Sequence, residues 1–197
     1  MSLILSEEEL KKLPRPIRKE PLNKSKIIHF GPGAFFRSFV ASLIDRVNQK
    51  DVEKWGIIAV SLNSETTLNK LAGQDLVFNA VSMSNTKKRA QKILSISDFI
   101  IAKKDGQRVV KALSDEKIKI VSLTITEKGY HYNSDKKELD FDNQNIIDDL
   151  GNSENPQTVV GFLVAGLRNR YLSGKAPFTV VSCDNLPNNG AVVQKTI

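Results

Sequence analysis

Hydrophobic and polar positions follow two periods along this chain, and the switches between them mark out its elements. From Lys26 the apolar run Ile27, Ile28 and Phe30 suits a buried parallel strand, and it breaks at Gly31-Pro32-Gly33. Beyond the break Phe35, Phe39, Leu43 and Val47 recur at helical spacing. They predict a helix from about Phe35 to Asn48 with these four as its apolar stripe and Arg37, Ser38, Asp45 and Arg46 among its polar positions. Trp55–Leu62, WGIIAVSL, reads as the next buried strand. From Asp75 the period falls to two, with Val77, Asn79, Val81 and Met83 alternating against Leu76, Phe78 and Ala80. Alternation returns at Ala90–Ile96, and the turn-rich Ser84-Asn85-Thr86-Lys87-Lys88 between the two stretches makes them an inserted β-hairpin.

A short helix over Gly106–Leu113 leads into Ile118–Thr126, β-branched enough for a central strand. Residues 135–155 are polar, with one helical turn near Ile146–Leu150. Asn155 as cap and Pro156 in the first turn then open a helix with the stripe Val160, Leu163, Leu167 and Tyr171, which stops at Gly174. Phe178–Cys183 is the last strand, and Gly190–Ile197 begins another helix. Strands alternating with helices predict an α/β fold. Before it, Pro14, Pro16 and Pro21 interrupt a charged stretch, so residues 1–25 read as a surface arm with a helical turn around Ser6–Leu13, and 26–197 as the domain.

The break after the first strand carries candidate chemistry. Gly31 and Gly33 allow a tight strand-to-helix turn, where a pyrophosphate would meet the free amides of Ala34 and Phe35 and the positive end of the helix dipole. Phe36 stands where the G-x-G-x-x-G fingerprint has its third glycine, so the spacing fits either a nucleotide site or a plain turn. After the second strand come Asn63-Ser64-Glu65. Glu65 is either a ligand for the adenosine ribose or a helix-start glutamate, and the lack of an arginine there favours NAD over NADP. Thr126-Glu127-Lys128-Gly129-Tyr130 ends a parallel strand, the place where open α/β sheets bind ligands, although on pattern alone it reads first as a polar turn with a glycine. The loop Asp184–Gly190 is crowded with side-chain amides that serve turns or position a substrate oxygen. His29, inside the first strand, reads as a satisfied buried histidine.

Composition narrows the partners. Twenty-nine Lys and Arg against 22 Asp and Glu give a formal charge of +7, which suits an anionic ligand. The clusters Lys87-Lys88-Arg89 and Lys103-Lys104 lack interleaved aromatics, which argues against nucleic acid. One cysteine, Cys183, and two histidines offer neither an internal disulfide nor zinc spacing, so a cytoplasmic protein without a metal is expected. No apolar run approaches the ~18 residues of a membrane span, and the short run at the amino terminus meets three glutamates at once.

Taken together, GPGAFFR, WGIIAVSL, SLTITEKGY and FTVVSCDNLPNNG, in that order, resemble the mannitol dehydrogenase and fructuronate reductase family. These are polyol-specific long-chain dehydrogenases that include mannonate oxidoreductase and tagaturonate reductase. The likeness runs from about Lys26 to Ile197. It implies a Rossmann-type, mostly parallel sheet flanked by helices, with NAD as cofactor. It also implies interconversion of a polyol or sugar acid, of mannitol, mannonate or altronate type, with its ketose by hydride transfer. Gly31, Gly33, Ala34, Phe35, Arg37, Asn63, Glu65, Thr126 and Glu127 become the implied cofactor positions, and Asn185 of the C-D-N motif the implied catalytic amide on the reacting oxygen.

Two departures stand out. Family members commonly have F-H-R in the first turn, where this chain has Phe35-Phe36-Arg37. The family's catalytic lysine lies in a K-x4-N-x2-H motif, and the residues eight places before His29 and His131 are Pro21 and Leu123. The expectation is therefore the cofactor domain of a larger enzyme whose carboxyl-terminal substrate domain is absent from this chain, with bare apolar surface prone to self-association. A non-catalytic module that binds NAD(H) or a partner is the alternative.

Overall fold

Strands that are apolar on both sides can be satisfied only inside a sheet covered on both faces, and the central strands of this chain adopt that arrangement. The computed structural model describes residues 2–50, 53–84 and 87–197. In chain order, β1 (Ser2–Leu5) and α1 (Glu7–Lys11) precede the arm, and β2 (Lys24–Phe30) follows it. A π-helical turn (Phe36–Val40) runs into α2 (Ala41–Asn48), followed by β3 (Trp55–Ser61) and α3 (Thr66–Ala72). Next come β4 (Phe78–Met83), β5 (Lys88–Ile93), β6 (Ile96–Ile101), α4 (Gly106–Leu113) and β7 (Ile120–Leu123). A 3-10 turn (Glu127–Tyr130), β8 (Tyr132–Asn133), β9 (Glu138–Leu139) and α5 (Gln144–Gly151) lead to α6 (Val159–Leu172), β10 (Thr179–Ser182) and α7 (Asn189–Thr196).

The central sheet has the order β10-β7-β2-β3-β6, and all its pairings are parallel. On one face Ile28, Phe30, Val60 and Val121 pack against Leu113 of α4 and Phe162 and Leu163 of α6. On the other, Ile27, Ile57 and Ala59 pack against Phe36, Ala41 of α2 and Leu68 of α3. This is the Rossmann-type α/β arrangement with the inserted hairpin, β4 with β5, in antiparallel register. Asn85 and Thr86, the centre of the expected hairpin turn, lie outside the described residues.

Several expectations of detail are corrected. The stripe Phe35, Phe39, Leu43 and Val47 faces outward, and Phe35 and Phe39 are 52% and 54% exposed. The buried row lies one or two positions further on. Phe36, Ala41, Asp45 and Asn48 point inward because the Phe36 ring stacks on His29, at 3.8 Å between centroids and 14° between planes, which fixes the helix's rotation. Asp45, expected at a polar surface position, is buried: its carboxylate accepts from Leu94 N at 2.8 Å and from the side chains of Gln49 and Gln91.

The residue pattern does not separate β6 from β5, since no glycine or proline marks the break between them. The break is held from outside, by Asp45 on Leu94 and by Ser95 Oγ donating to Ala41 O at 2.8 Å. The cap of α6 is Thr158, whose hydroxyl accepts from Gly161 N, rather than Asn155. Ser2–Leu5, within the expected arm, pairs antiparallel with β5.

On α6 the expected Tyr171 is 84% exposed, and its neighbour Arg170 is buried instead. Its guanidinium donates to the carbonyls of Leu113 (2.7 Å), Ala176 (2.9 Å), Ile118 (2.9 Å) and Asp115, and lies over the Phe178 ring. One planar fork thus ties the end of α4, the approach to β7 and the end of α6 together. Removing it leaves buried carbonyls unpaired at ~1–3 kcal/mol each. Arg170→Met should therefore lower unfolding stability by more than ~3 kcal/mol, with Arg170→Lys recovering only part. Urea midpoints unchanged in both variants would show that the fork carries no stability.

Candidate functional site

Because the central strands are parallel, β2, β3, β6, β7 and β10 all end on one edge of the sheet. The chain leaves β2 toward β3 and β6, then crosses back to β7 on β2's other side, so a crevice opens between the carboxyl ends of β2 and β7. Gly31 sits at its floor with φ +87°, its N–H donating to Val60 O at 3.0 Å, and a Cβ there would overlap the Thr124 carbonyl. Gly33 N donates to Gly31 O at 2.7 Å and closes the turn. A Cβ on Gly33 would meet nothing nearer than Gly31 O at 3.9 Å, so the space above it is open.

Ala34 and Phe35, both exposed, form the first helical turn, where N–H groups have no partner within the helix. Arg37 folds back to donate to Pro32 O at 2.8 Å, which sets its guanidinium beside the turn. The turn therefore offers a cradle without side chains, lined by free amides, and its chemistry fits a pyrophosphate.

A buried network supports the turn from behind. The register of β2 on β7 places His29 beside Ser122, and His29 Nδ1 lies 2.8 Å from Ser122 Oγ. His29 Nε2 lies 2.9 Å from Thr124 Oγ1 and 3.3 Å from Gly31 O, and Thr124 Oγ1 donates to Gly31 O at 2.6 Å. Since Thr124 spends its proton on Gly31, the consistent pattern has Nε2–H donating to Thr124 and Ser122 donating to Nδ1. That is a neutral imidazole. Burial pushes the His29 pKa down to about 3, against a small opposing effect from the Gly31 carbonyl.

At the carboxyl ends of β7 and β10, TEKGY and C-D-N meet. The Asp184 carboxylate accepts from Ile125 N (3.0 Å), Thr126 N (3.1 Å) and Tyr130 Oη (2.6 Å), and Tyr130 Oη also lies 2.6 Å from Ser182 Oγ. Burial, reinforced by Asp184, raises the Tyr130 phenol's pKa, so the phenol stays protonated. This clamp holds Thr126 at φ +65°, ψ 164°, a conformation costing a non-glycine residue ~1–3 kcal/mol. Glu127 begins the exposed 3-10 turn. Asn185 is exposed, with no side-chain hydrogen bond among the described residues, on a loop pinned by Asn189 Nδ2 donating to the carbonyls of Ser182 and Asp184.

Further along the edge, Asn63 is exposed after β3, and Glu65 stands at the start of α3 without capping it. Its carboxylate instead accepts from Lys104 Nζ at 2.6 Å, a hydrogen bond that holds its pKa below the usual carboxylate range. The expected site residues thus share one edge: Gly31–Arg37 adjoin the Thr126–Glu127 and Asn185 loops, and Asn63 and Glu65 lie beyond β3. Residue spacing missed Thr124, Asp184 and Lys104 as supports. The adjacency of Asp184 to Asn185 was the one available signal.

The His29 network generates a pH prediction. Its folded pKa lies below the ordinary value of 6.5, so the unfolded chain binds the extra proton. The contribution is complete above pH 6.5 and is lost as pH falls toward 3, at about 1.4 kcal/mol per pH unit. Denaturant titrations between pH 7.5 and 4.5 should show this slope, and His29→Gln should flatten it. An equal slope in the variant would assign it to other groups.

Comparison with known proteins agrees with this geometry. The model of the mannitol dehydrogenase Rossmann domain matches residues 25–197. The chain is 35% identical over 201 residues to polyol:NADP oxidoreductase of Gluconobacter oxydans, spanning 98% of this chain and 41% of that protein. It is 38% identical over 176 residues to mannitol 2-dehydrogenase of Aspergillus fumigatus, spanning 87% of this chain and 35% of that one. A solved ternary complex of Pseudomonas fluorescens mannitol 2-dehydrogenase with NAD and D-mannitol superposes with a TM-score of 0.83 at 35% identity, over 98% of this chain and 41% of that one. The chain therefore spans between 35% and 41% of the length of these relatives. With a family match over nearly its whole length, and a glycine turn at the sheet's switch point, the chain belongs to the mannitol dehydrogenase family, whose Rossmann domain it carries.

Proposed function

We propose that this chain is the cofactor-binding domain of an NAD-dependent oxidoreductase that interconverts a polyol or sugar acid, of mannitol, mannonate or altronate type, with its ketose. The observation that carries the reading is the open cradle above Gly33, bounded by the first-turn amides of α2's π-helical approach and placed on the same edge as Asn185. The likeness to the Pseudomonas fluorescens enzyme, solved as a complex with NAD and D-mannitol, supports it. When bound, NAD supplies the hydride chemistry at its nicotinamide ring.

The chain's own residues hold and orient. Ala34 and Phe35 amides and the helix dipole bind pyrophosphate, Arg37 adds positive charge beside it, and Asn63 and Glu65 receive the adenosine ribose. Thr126 and Glu127 border the crevice on the β7 side. Asn185, with its amide free, donates a hydrogen bond to the substrate oxygen on which charge develops. In the family this chain resembles, proton transfer belongs to a lysine in a K-x4-N-x2-H motif, and that motif does not occur in this sequence.

The exposed stripe of Phe35, Phe39, Leu43 and Val47 supports self-association of the isolated chain. Among the described residues no helix is long and apolar enough to cross a membrane. A cytoplasmic setting is proposed on cysteine usage, since Cys183 is a free thiol.

Residues 1–197 should bind NADH weakly, with NADH preferred over NADPH, and reduce none of fructuronate, tagaturonate or fructose. Gly33→Val should abolish NADH binding while circular dichroism stays native, because the branched side chain fills the cradle. Fluorescence titration reads both results. Undiminished NADH affinity in Gly33→Val would remove the site from this turn, and turnover dependent on Asn185 would place a proton donor within the chain.

A further inference from the structure

Two lysines and one carboxylate meet where β3 and β6 end, outside the buried core. Lys103 N donates to Leu62 O at 3.0 Å, so the sheet pairing continues past both strands and sets residues 102–104 beside 62 and 63. Lys104 then reaches across to Glu65, with Nζ to Oε2 at 2.6 Å and Asn69 Nδ2 3.5 Å from the same oxygen. The Lys103 side chain lines a neighbouring cavity of roughly 250 Å³ together with Asn63, His131 and Gln157. The Lys104 and Glu65 side chains are 60% and 38% exposed, and an ion pair so open to water adds little to stability. Its placement is more telling. A dinucleotide held by the Gly31–Phe35 turn extends its adenosine over the ends of the next strands, so its ribose would reach this pair.

The two groups want opposite ligands. A carboxylate accepts from the free hydroxyls of an unphosphorylated ribose and repels a 2′-phosphate, whereas an ammonium attracts the phosphate and gains little from a hydroxyl. We propose that Glu65 and Lys104 form a cofactor-selectivity pair, in which Glu65 favours NAD(H) and at the same time restrains Lys104, a latent ligand for the 2′-phosphate of NADP(H). The inference rests on the reading of Gly31–Phe35 as a dinucleotide site. Lys104 competes with ribose for Glu65, so it moderates the NADH preference. Freed from Glu65, it turns to the phosphate with Lys103 close by.

The test is a double-mutant cycle on residues 1–197, titrating NADH and NADPH by fluorescence with wild type, E65Q, K104A and E65Q/K104A. Wild type should prefer NADH. E65Q should bind NADPH at least ~10-fold more tightly than wild type and NADH more weakly, a reversal that added salt should diminish because it depends on a charge in solvent. K104A should bind NADH ~2–3-fold more tightly, and E65Q/K104A should lose most of the NADPH gain. An equal gain in the double variant, or no change in the NADH to NADPH ratio in E65Q, overturns the role of Lys104 while the dinucleotide site stands. If wild type binds neither nucleotide, both fall.

Discussion

No side chain fits between Gly31 and the carbonyl of Thr124, and the architecture of the edge follows from that contact. With the backbones this close, Thr124 can place its hydroxyl on the Gly31 carbonyl, and His29, one strand register behind, can close the loop to Ser122. The turn is thereby fixed by hydrogen bonds made underneath it, and its upper surface is left free. A substitution at Gly31 would push β2 and β7 apart at the point where the crevice opens. One at Gly33 would leave the strands in place and obstruct only what sits on top.

The same network sets the direction of the first helix. His29 gives Phe36 a flat partner, and once that ring is stacked, the helix can bury only the row that follows Phe36. Two adjacent rows of α2 and its π-helical approach carry apolar side chains, and the larger one, with Phe35 and Phe39, is the row left in water. A histidine in place of Phe36, as family members commonly have, would meet His29 in the same position with different hydrogen-bonding demands. Here the contact is a ring stack between two fully buried side chains.

Much of the fold is legible in the chain because its determinants are local. Ile27–Phe30 and WGIIAVSL can only be buried strands, and two glycines two residues apart between a strand and a helix have few other uses. What resisted reading depends on contacts between distant residues. β6 separates from its neighbour without any turn residue because Asp45, some fifty positions away, grips Leu94. Arg170 displaces Tyr171 as the buried residue because four carbonyls from three segments converge there, and no periodicity encodes convergence. The candidate site divides in the same way. Its glycines and Asn185 announce themselves by motif, while Thr124, Asp184 and Lys104 act through partners that only the folded chain supplies.

The neutral imidazole beneath the turn has a consequence for the conditions under which the turn can work. Its polarity comes from peptide dipoles and from a guanidinium, and no group in it changes charge between mildly acid and mildly alkaline conditions. Peptide dipoles cannot be neutralised by protons and are little dimmed by counter-ions at contact range. A cradle built this way would hold an anion with the same strength across that range, and leave any sensitivity to acidity to the groups that carry out the chemistry.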